Sequence, residues 1–170
     1  MSGVYHLLPI ESQGRAVLQR LDHAAIFILI AGTFTPVHTI LFSGFWRWAP
    51  LVVIWSIAIA GITLKSIFFS QIPEVLSTSI YLGMGWLGIV SGILIVAEQG
   101  LQFIQPLFGG ALFYSVGAGI DLIKEPIIVP GVIGPHEIFH IAVLLGVAYH
   151  WRFIKRIVVA NQRATDLLPN

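Results

Sequence analysis

Long apolar runs, separated by short polar or proline-bearing stretches, organise the chain. A membrane-crossing helix needs about 20 mostly apolar residues. Five stretches read as such spans: about Asp22 to Phe42, Pro50 to Phe69, Leu76 to Ala97, Pro106 to Ile123 and His136 to Ile157. The fourth is the weakest and is rich in glycine. Lipid obliges each crossing segment to satisfy its own backbone, which favours helices over open strands. The expected connectors are Ser43–Ala49, with Trp46 and Trp48; Ser70–Val75, with Pro73; Glu98–Gln105; and Lys124–Pro135, with three prolines. Trp46, Trp48 and Trp151 fall at span ends, where amphipathic rings prefer the membrane interface. Gly83, Gly85, Gly88 and Gly92, and Gly109, Gly110, Gly117 and Gly119, read as positions of close helix contact.

Ser2–Leu21 does not read as a full span, because Pro9 interrupts it and Glu11, Arg15 and Arg20 follow. It reads as the end of a helix plus a polar turn. With no repeat of 20–50 residues and no low-complexity linker, the expected fold is an all-α multi-pass bundle. It forms one transmembrane domain over residues 1–170.

Composition sharpens this picture. Hydrophobic residues make up 56% and charged residues 10% of the 170-residue chain, against about 25% charged in a soluble domain. So little charge cannot cover a water-facing surface, and lipids are the expected partners. A net charge of +1 and the lack of a basic run give no reason to expect nucleic acid. Without cysteine, no disulfide, thiolate zinc site or thiol nucleophile can form. Met1–Ile10 has neither a basic start nor a small-residue cleavage site, so targeting is expected from the spans themselves.

With five alternating spans, the first, third and fifth helices begin on one face of the bilayer, side A. Asp22 begins the first helix, and His136 and His140 begin the fifth. Lys65 and Asp121 end the second and fourth, and His6 lies in the segment leading to Asp22. Ionisable groups near hydrocarbon are costly. His136 and His140 are four residues apart, on one helix face, and two such imidazoles can share a metal at about 2.0–2.1 Å. A third histidine and an open position would make a catalytic type of zinc site. Asp22 could orient water, act as general base or hold a ligand imidazole. The plainer alternative is a pair of interfacial histidines, with Asp22 as a helix N-cap.

His136-Glu137-Ile138-Phe139-His140 also reads literally as H-E-x-x-H, the helical zinc-protease string. The alternative for Glu137 is a first-turn acid favoured by the helix dipole. His23 reads as interfacial, and Lys65 as snorkelling to side-A water. His38 and His150 lie toward side B, where they could pair with no other polar company. Tyr114 and Asp121 are candidates to border a central cavity, with Asp121 equally a helix-end residue.

Ser2-x-x-x-His6, Leu21-Asp22-His23-Ala24-Ala25-Ile26-Phe27, Ala31-Gly32-Thr33-Phe34-Thr35-Pro36 and His136-x-x-x-His140 together resemble the hemolysin III family. Gly110 and Tyr114-x-x-Gly117 add to the likeness. That family belongs with the progestin and adipoQ receptor superfamily and, more distantly, with alkaline ceramidases. The resemblance covers nearly the whole chain. It implies a seven-helix fold with zinc near the cytoplasmic face, which would be side A. His6, His136 and His140 would be zinc ligands, Asp22 would act on water at the zinc, and Ser2 would lie beside the site. Measured against that pattern the chain is expected to be N-terminally shortened. Charge does not fix orientation. Arg47, Arg152, Lys155, Arg156 and Arg163 fall on side B, and Arg15, Arg20, Lys65 and Lys124 on side A.

Three functions compete. The first is a zinc-dependent membrane hydrolase, such as a lipid amidase, with a lipid or fatty-acid ligand held in an apolar space between helices. The second is a non-enzymatic sensor or receptor with structural zinc. The third, suggested by the family name, is a cytolytic protein, although no amphipathic segment suits passage from water into a membrane. Residence in a plasma or bacterial inner membrane is expected.

Overall fold

The computed structural model describes residues 13–129 and 134–166, apart from the side chains at 15, 16, 164 and 165. The described residues form six helices: α1 (Gln13–Leu41), α2 (Gly44–Ile67), α3 (Glu74–Trp86), α4 (Gly88–Gln99), α5 (Leu101–Ile123) and α6 (Pro135–Asp166). Helices α3 and α4 are separated only by Leu87, which keeps right-handed helical angles and donates its N–H to Gly83 O at 3.0 Å. The two act as one crossing. Five stretches are therefore long and apolar enough to span a membrane: Val17–Leu41, Gly44–Ile67, Glu74–Gln99, Leu101–Ile123 and Pro135–Arg163.

The connectors are shorter than the sequence suggests. Gly44–Ala49 belongs to α2, and Gly100 alone separates α4 from α5. Pro50 and Pro106 therefore lie inside helices, not at their starts. A proline deprives the carbonyl four residues earlier of its donor. For Pro106 that carbonyl belongs to Gln102, and Arg156 of α6 supplies the missing N–H at 2.6 Å, with a second bond to Phe103 O at 3.0 Å. The helix can then run straight through.

The outer surface is apolar. Val52 is 63% exposed, Leu112 64% and Leu144 69%, and Ile59, Val90 and Ile93 also point outward. In water such a surface would aggregate; in a bilayer it needs no covering. The interior consists of two small clusters. Phe27, Ala31, Ile54, Ala58 and Met84 join α1, α2 and α3. Val37, Phe42, Ile95, Ile104, Phe153 and Ile157 join α1, α4, α5 and α6 nearer side B.

Close approach rests on glycine at particular points. A Cβ on Gly61 would collide with the Phe27 ring, one on Gly110 with the His150 ring, and one on Gly109 would come within 2.6 Å of Tyr149. A Cβ on Gly146 of the facing helix would meet Tyr114 at 2.7 Å, and one on Gly117 of α5 would meet Ala142 Cβ at 2.6 Å. Gly92 makes only ordinary contact with Ile104, and Gly88 lies close to Phe34. Gly83, Gly85 and Gly119 have open space around them and do not serve as contact points.

Polar contacts tie the helix ends on side A together. Lys65, at the end of α2, donates to Ile72 O at 3.1 Å. Lys124 caps α5 in a left-handed conformation, φ 60°, and reaches Glu74 at the start of α3 at 3.3 Å. Asp121, on the last turn of α5, meets His136 on the first turn of α6.

Candidate functional site

The start of α6 is built by local rules. Pro135 occupies the first helical position, where its missing N–H costs nothing. Glu137, two residues on, reaches back to accept the Gly134 N–H at 2.9 Å, the reciprocal half of a capping box. This fixes the first turn, from which His136 and His140 project along one face. Their Nε2 atoms stand 3.1 Å apart, with the rings nearly perpendicular at 80°.

Behind His136, its Nδ1 lies 3.3 Å from Asp121 Oδ1. An imidazole that donates Nδ1–H to a carboxylate carries its lone pair on Nε2, and here Nε2 faces His140 Nε2 at hydrogen-bond distance. Two nitrogens bound to one tetrahedral zinc at about 2.0–2.1 Å would be separated by roughly 3.3–3.4 Å. The pair is therefore already near ligand spacing. A carboxylate behind one ring is the usual outer-shell arrangement of metal-bound histidine. Asp121 is half-buried, its side chain 14% exposed, and it also accepts from Lys124 at 3.4 Å.

Asp22, in the first half of α1, is close enough for its charge to act on both imidazoles. Asp22, Asp121, His136 and His140 thus gather at one end of the bundle. Ser2 and His6 lie outside the described residues. Among the described residues no three His, Asp or Glu side chains are placed to hold one metal ion. The two nitrogens and their supporting carboxylate fit zinc chemistry as part of a ligand set that needs a further donor.

Four polar residues have partners that the sequence reading did not give them. His23 shares a 3.1 Å hydrogen bond through Nδ1 with the Tyr81 hydroxyl, and its ring packs edge-on against Phe69. Lys65 does not snorkel outward. It is buried, bonded to a loop carbonyl and 5.0 Å from the Phe69 ring centre. His38 and His150 do not pair. His38, 1% exposed, is bonded through Nδ1 to Trp46 O at 2.8 Å and through Nε2 to Ser91 Oγ at 3.1 Å. His150 instead meets the Tyr114 ring edge-on at 5.1 Å.

Sequence reasoning noted Asp121 but gave it no role behind His136. Its position on the last turn of the helix preceding α6 was the available signal. It missed Ser91 altogether, since a lone serine in an apolar run carries no mark of its partner.

A family model described as "Haemolysin-III related" matches residues 1–151. The chain belongs to the haemolysin III family. Two curated haemolysin III proteins show the similarity in detail. The hemolysin-3 homolog of Bacillus subtilis (strain 168) is 39% identical over 132 residues, covering 78% of this chain and 59% of that protein. Hemolysin-3 of Bacillus cereus is 40% identical over 128 residues, covering 75% of this chain and 55% of that protein. The chain thus spans less than two thirds of the length of either haemolysin III relative. No solved structure matches it.

Proposed function

We propose that this haemolysin III-family membrane protein holds a zinc ion through His136 and His140 and uses it to hydrolyse a lipid amide. The observation that carries the proposal is the 3.1 Å convergence of the two Nε2 atoms with Asp121 behind His136. His6 is the proposed third ligand, and Ser2 lies beside the site. Zinc in such a site would polarise an amide carbonyl and bring water to a pKa of about 7.

The remaining roles belong to the protein. Asp121 holds the His136 ring in the tautomer whose Nε2 can ligate. Asp22 accepts a proton from water and passes it to the departing amine. Glu137 holds the first turn of α6 through Gly134. That commitment supports a capping role for Glu137 over the general-base role a zinc protease would require. The apolar outer faces of the helices allow a lipid or fatty-acid chain to approach from within the bilayer. On this reading side A faces the cytoplasm of a plasma or bacterial inner membrane.

The test is metal analysis and lipid turnover on the same detergent-purified protein. About one zinc per chain is expected, lost in His136→Ala and His140→Ala. Zinc retained in both variants would overturn the ligand set. Release of fatty acid from lipid extracts by the parent protein, and not by His136→Ala, supports the hydrolase. Bound zinc without release across broad lipid classes points instead to a sensor or receptor in which zinc ties α6 to the N-terminal segment.

A further inference from the structure

At the opposite end of the molecule from the histidine pair, α6 continues far beyond what a bilayer needs. Its 32 residues span about 48 Å at 1.5 Å per residue, against a hydrocarbon thickness of about 30 Å. Counted from His136, about 30 Å of hydrocarbon takes about 20 residues, so the helix leaves it near Arg156, little more than a turn beyond Trp151. That ring is 66% exposed and sits where interfacial tryptophan is favoured. Beyond it the helix turns basic on one face. Arg152, Lys155, Arg156 and Arg163 line a single groove of about 850 Å³ between α6 and the start of α5, together with Gln105 and Pro106.

Three features of this groove bear on its ligand. Its lining contains four cations and no carboxylate. None of the four is in an ion pair among the described residues. Arg156 is positioned by its bonds to Gln102 O and Phe103 O through one terminal nitrogen, and a guanidinium has five N–H donors, so others remain for a ligand. The adjoining surface, lined by Gln99, Gln102 and Gln105, adds neutral amide groups and no opposing charge.

The groove therefore offers several converging cations at the level of the lipid headgroups, with an apolar wall of Pro106 and Val159 on its flank. Arginine and lysine clusters at that depth recognise phosphate, arginine by paired N–H donors and lysine as a point charge. A soluble anion would use the cations but not the apolar wall or the interfacial position.

We propose that the groove between the start of α5 and the projecting end of α6 is a binding site for the phosphate of an anionic phospholipid in the side-B leaflet. Arg152, Lys155 and Arg163 supply the charge. Arg156 serves both as a phosphate donor and as the link that holds the groove's two walls together. This site is separate from the histidine pair and does not depend on zinc.

The test titrates the detergent-purified full chain with short-chain phosphatidylglycerol, short-chain phosphatidylcholine and inorganic phosphate, counting bound molecules by native mass spectrometry. Phosphatidylglycerol is expected to bind in preference to the other two. The triple variant Arg152→Gln, Lys155→Gln, Arg163→Gln, which spares Arg156, is expected to weaken it on the order of 100-fold. Lys155→Gln and Arg163→Gln alone should each weaken it by a smaller factor, so the result does not depend on the triple variant folding. Arg20→Gln, on side A, removes one charge outside the groove and should leave binding unchanged. Equal binding of phosphatidylcholine, undiminished binding by the groove variants, or an equal loss in Arg20→Gln would overturn the site. Inorganic phosphate binding as tightly as phosphatidylglycerol would overturn the lipid assignment.

Discussion

His38 Nδ1 lies 2.8 Å from the carbonyl oxygen of Trp46, the acceptor that an ordinary residue at position 50 would have used. Position 50 is proline, so that carbonyl has no helical donor. The imidazole of α1 replaces the missing N–H of α2. This fixes the His38 tautomer, with the proton on Nδ1, and leaves Nε2 to accept the Ser91 hydroxyl of α4 at 3.1 Å. One buried side chain thereby links three helices.

The His38 link can be measured by a double-mutant cycle. His38→Ala leaves the Trp46 carbonyl and the Ser91 hydroxyl unpaired in an apolar interior and should cost about 1–3 kcal/mol. Pro50→Ala restores an N–H to the Trp46 carbonyl. In that background the His38→Ala cost should fall by at least about 0.5 kcal/mol, read from reversible unfolding in mixed micelles. Strict additivity would show that His38 does not stand in for the proline.

The glycine contacts give a second, position-specific prediction. Gly110→Ala places a Cβ against the His150 ring and Gly109→Ala places one against Tyr149. Each should destabilise the protein by about 1–3 kcal/mol through overpacking. Gly119→Ala, with open space around it, should be neutral or gain up to about 1 kcal/mol from helix propensity. Thermal midpoints of the three variants in detergent decide the matter, and an equal loss in all three would contradict the packing described.

If zinc is held as proposed, Asp121 matters without being a ligand. Asp121→Asn keeps the size of the side chain and weakens its hold on His136 Nδ1. Zinc affinity should drop about 10–100-fold, measured by competition with a chromogenic chelator, while His136→Ala abolishes specific binding. No change in Asp121→Asn would show that the carboxylate does not support the site.

Lys124 gives a pH prediction with a defined sign. It lies outside the spans, and partial burial lowers its pKa, but the nearby Asp121 and Glu74 carboxylates outweigh this and raise it above 10.5. A raised cation stabilises the fold below its unfolded pKa, and that contribution disappears as pH climbs through the higher folded value. The side chain is 59% exposed, so solvent screens the effect, and Lys124→Met should cost under about 1 kcal/mol at neutral pH. The difference between parent and variant should shrink in high salt and vanish in strong alkali.

The helices were legible in the sequence because hydrophobic runs of that length leave few alternatives. Their boundaries were less so, and two of the errors share a cause. Pro50 and Pro106 read as helix starts because a mid-helix proline strands a carbonyl. The structure runs through both, because His38 and Arg156 reach across from neighbouring helices to satisfy that carbonyl. No local pattern announces such a donor. The same holds for polar groups. The four-residue spacing of His136 and His140 is visible in one dimension, as is their shared face. The Tyr81 partner of His23, the Ser91 partner of His38 and the inward fold of Lys65 exist only once helices are side by side. Asp121 falls between these cases, since its place at a helix end was readable but the His136 ring it faces was not.

The seating of Tyr114 over Gly146, and of Tyr149 and His150 over Gly109 and Gly110, works like a ratchet with its pawls engaged. Sliding α5 along α6 by one residue would drive Tyr114, and one of the other two rings, into a Cβ, so these two helices must travel as one piece. Asp121 and the histidine pair ride on that piece, and their mutual geometry is insulated from motions elsewhere. The seam between α1 and α6 is far thinner. A parting of the bundle along that line would carry Asp22 away from the imidazoles, and closure would bring it back.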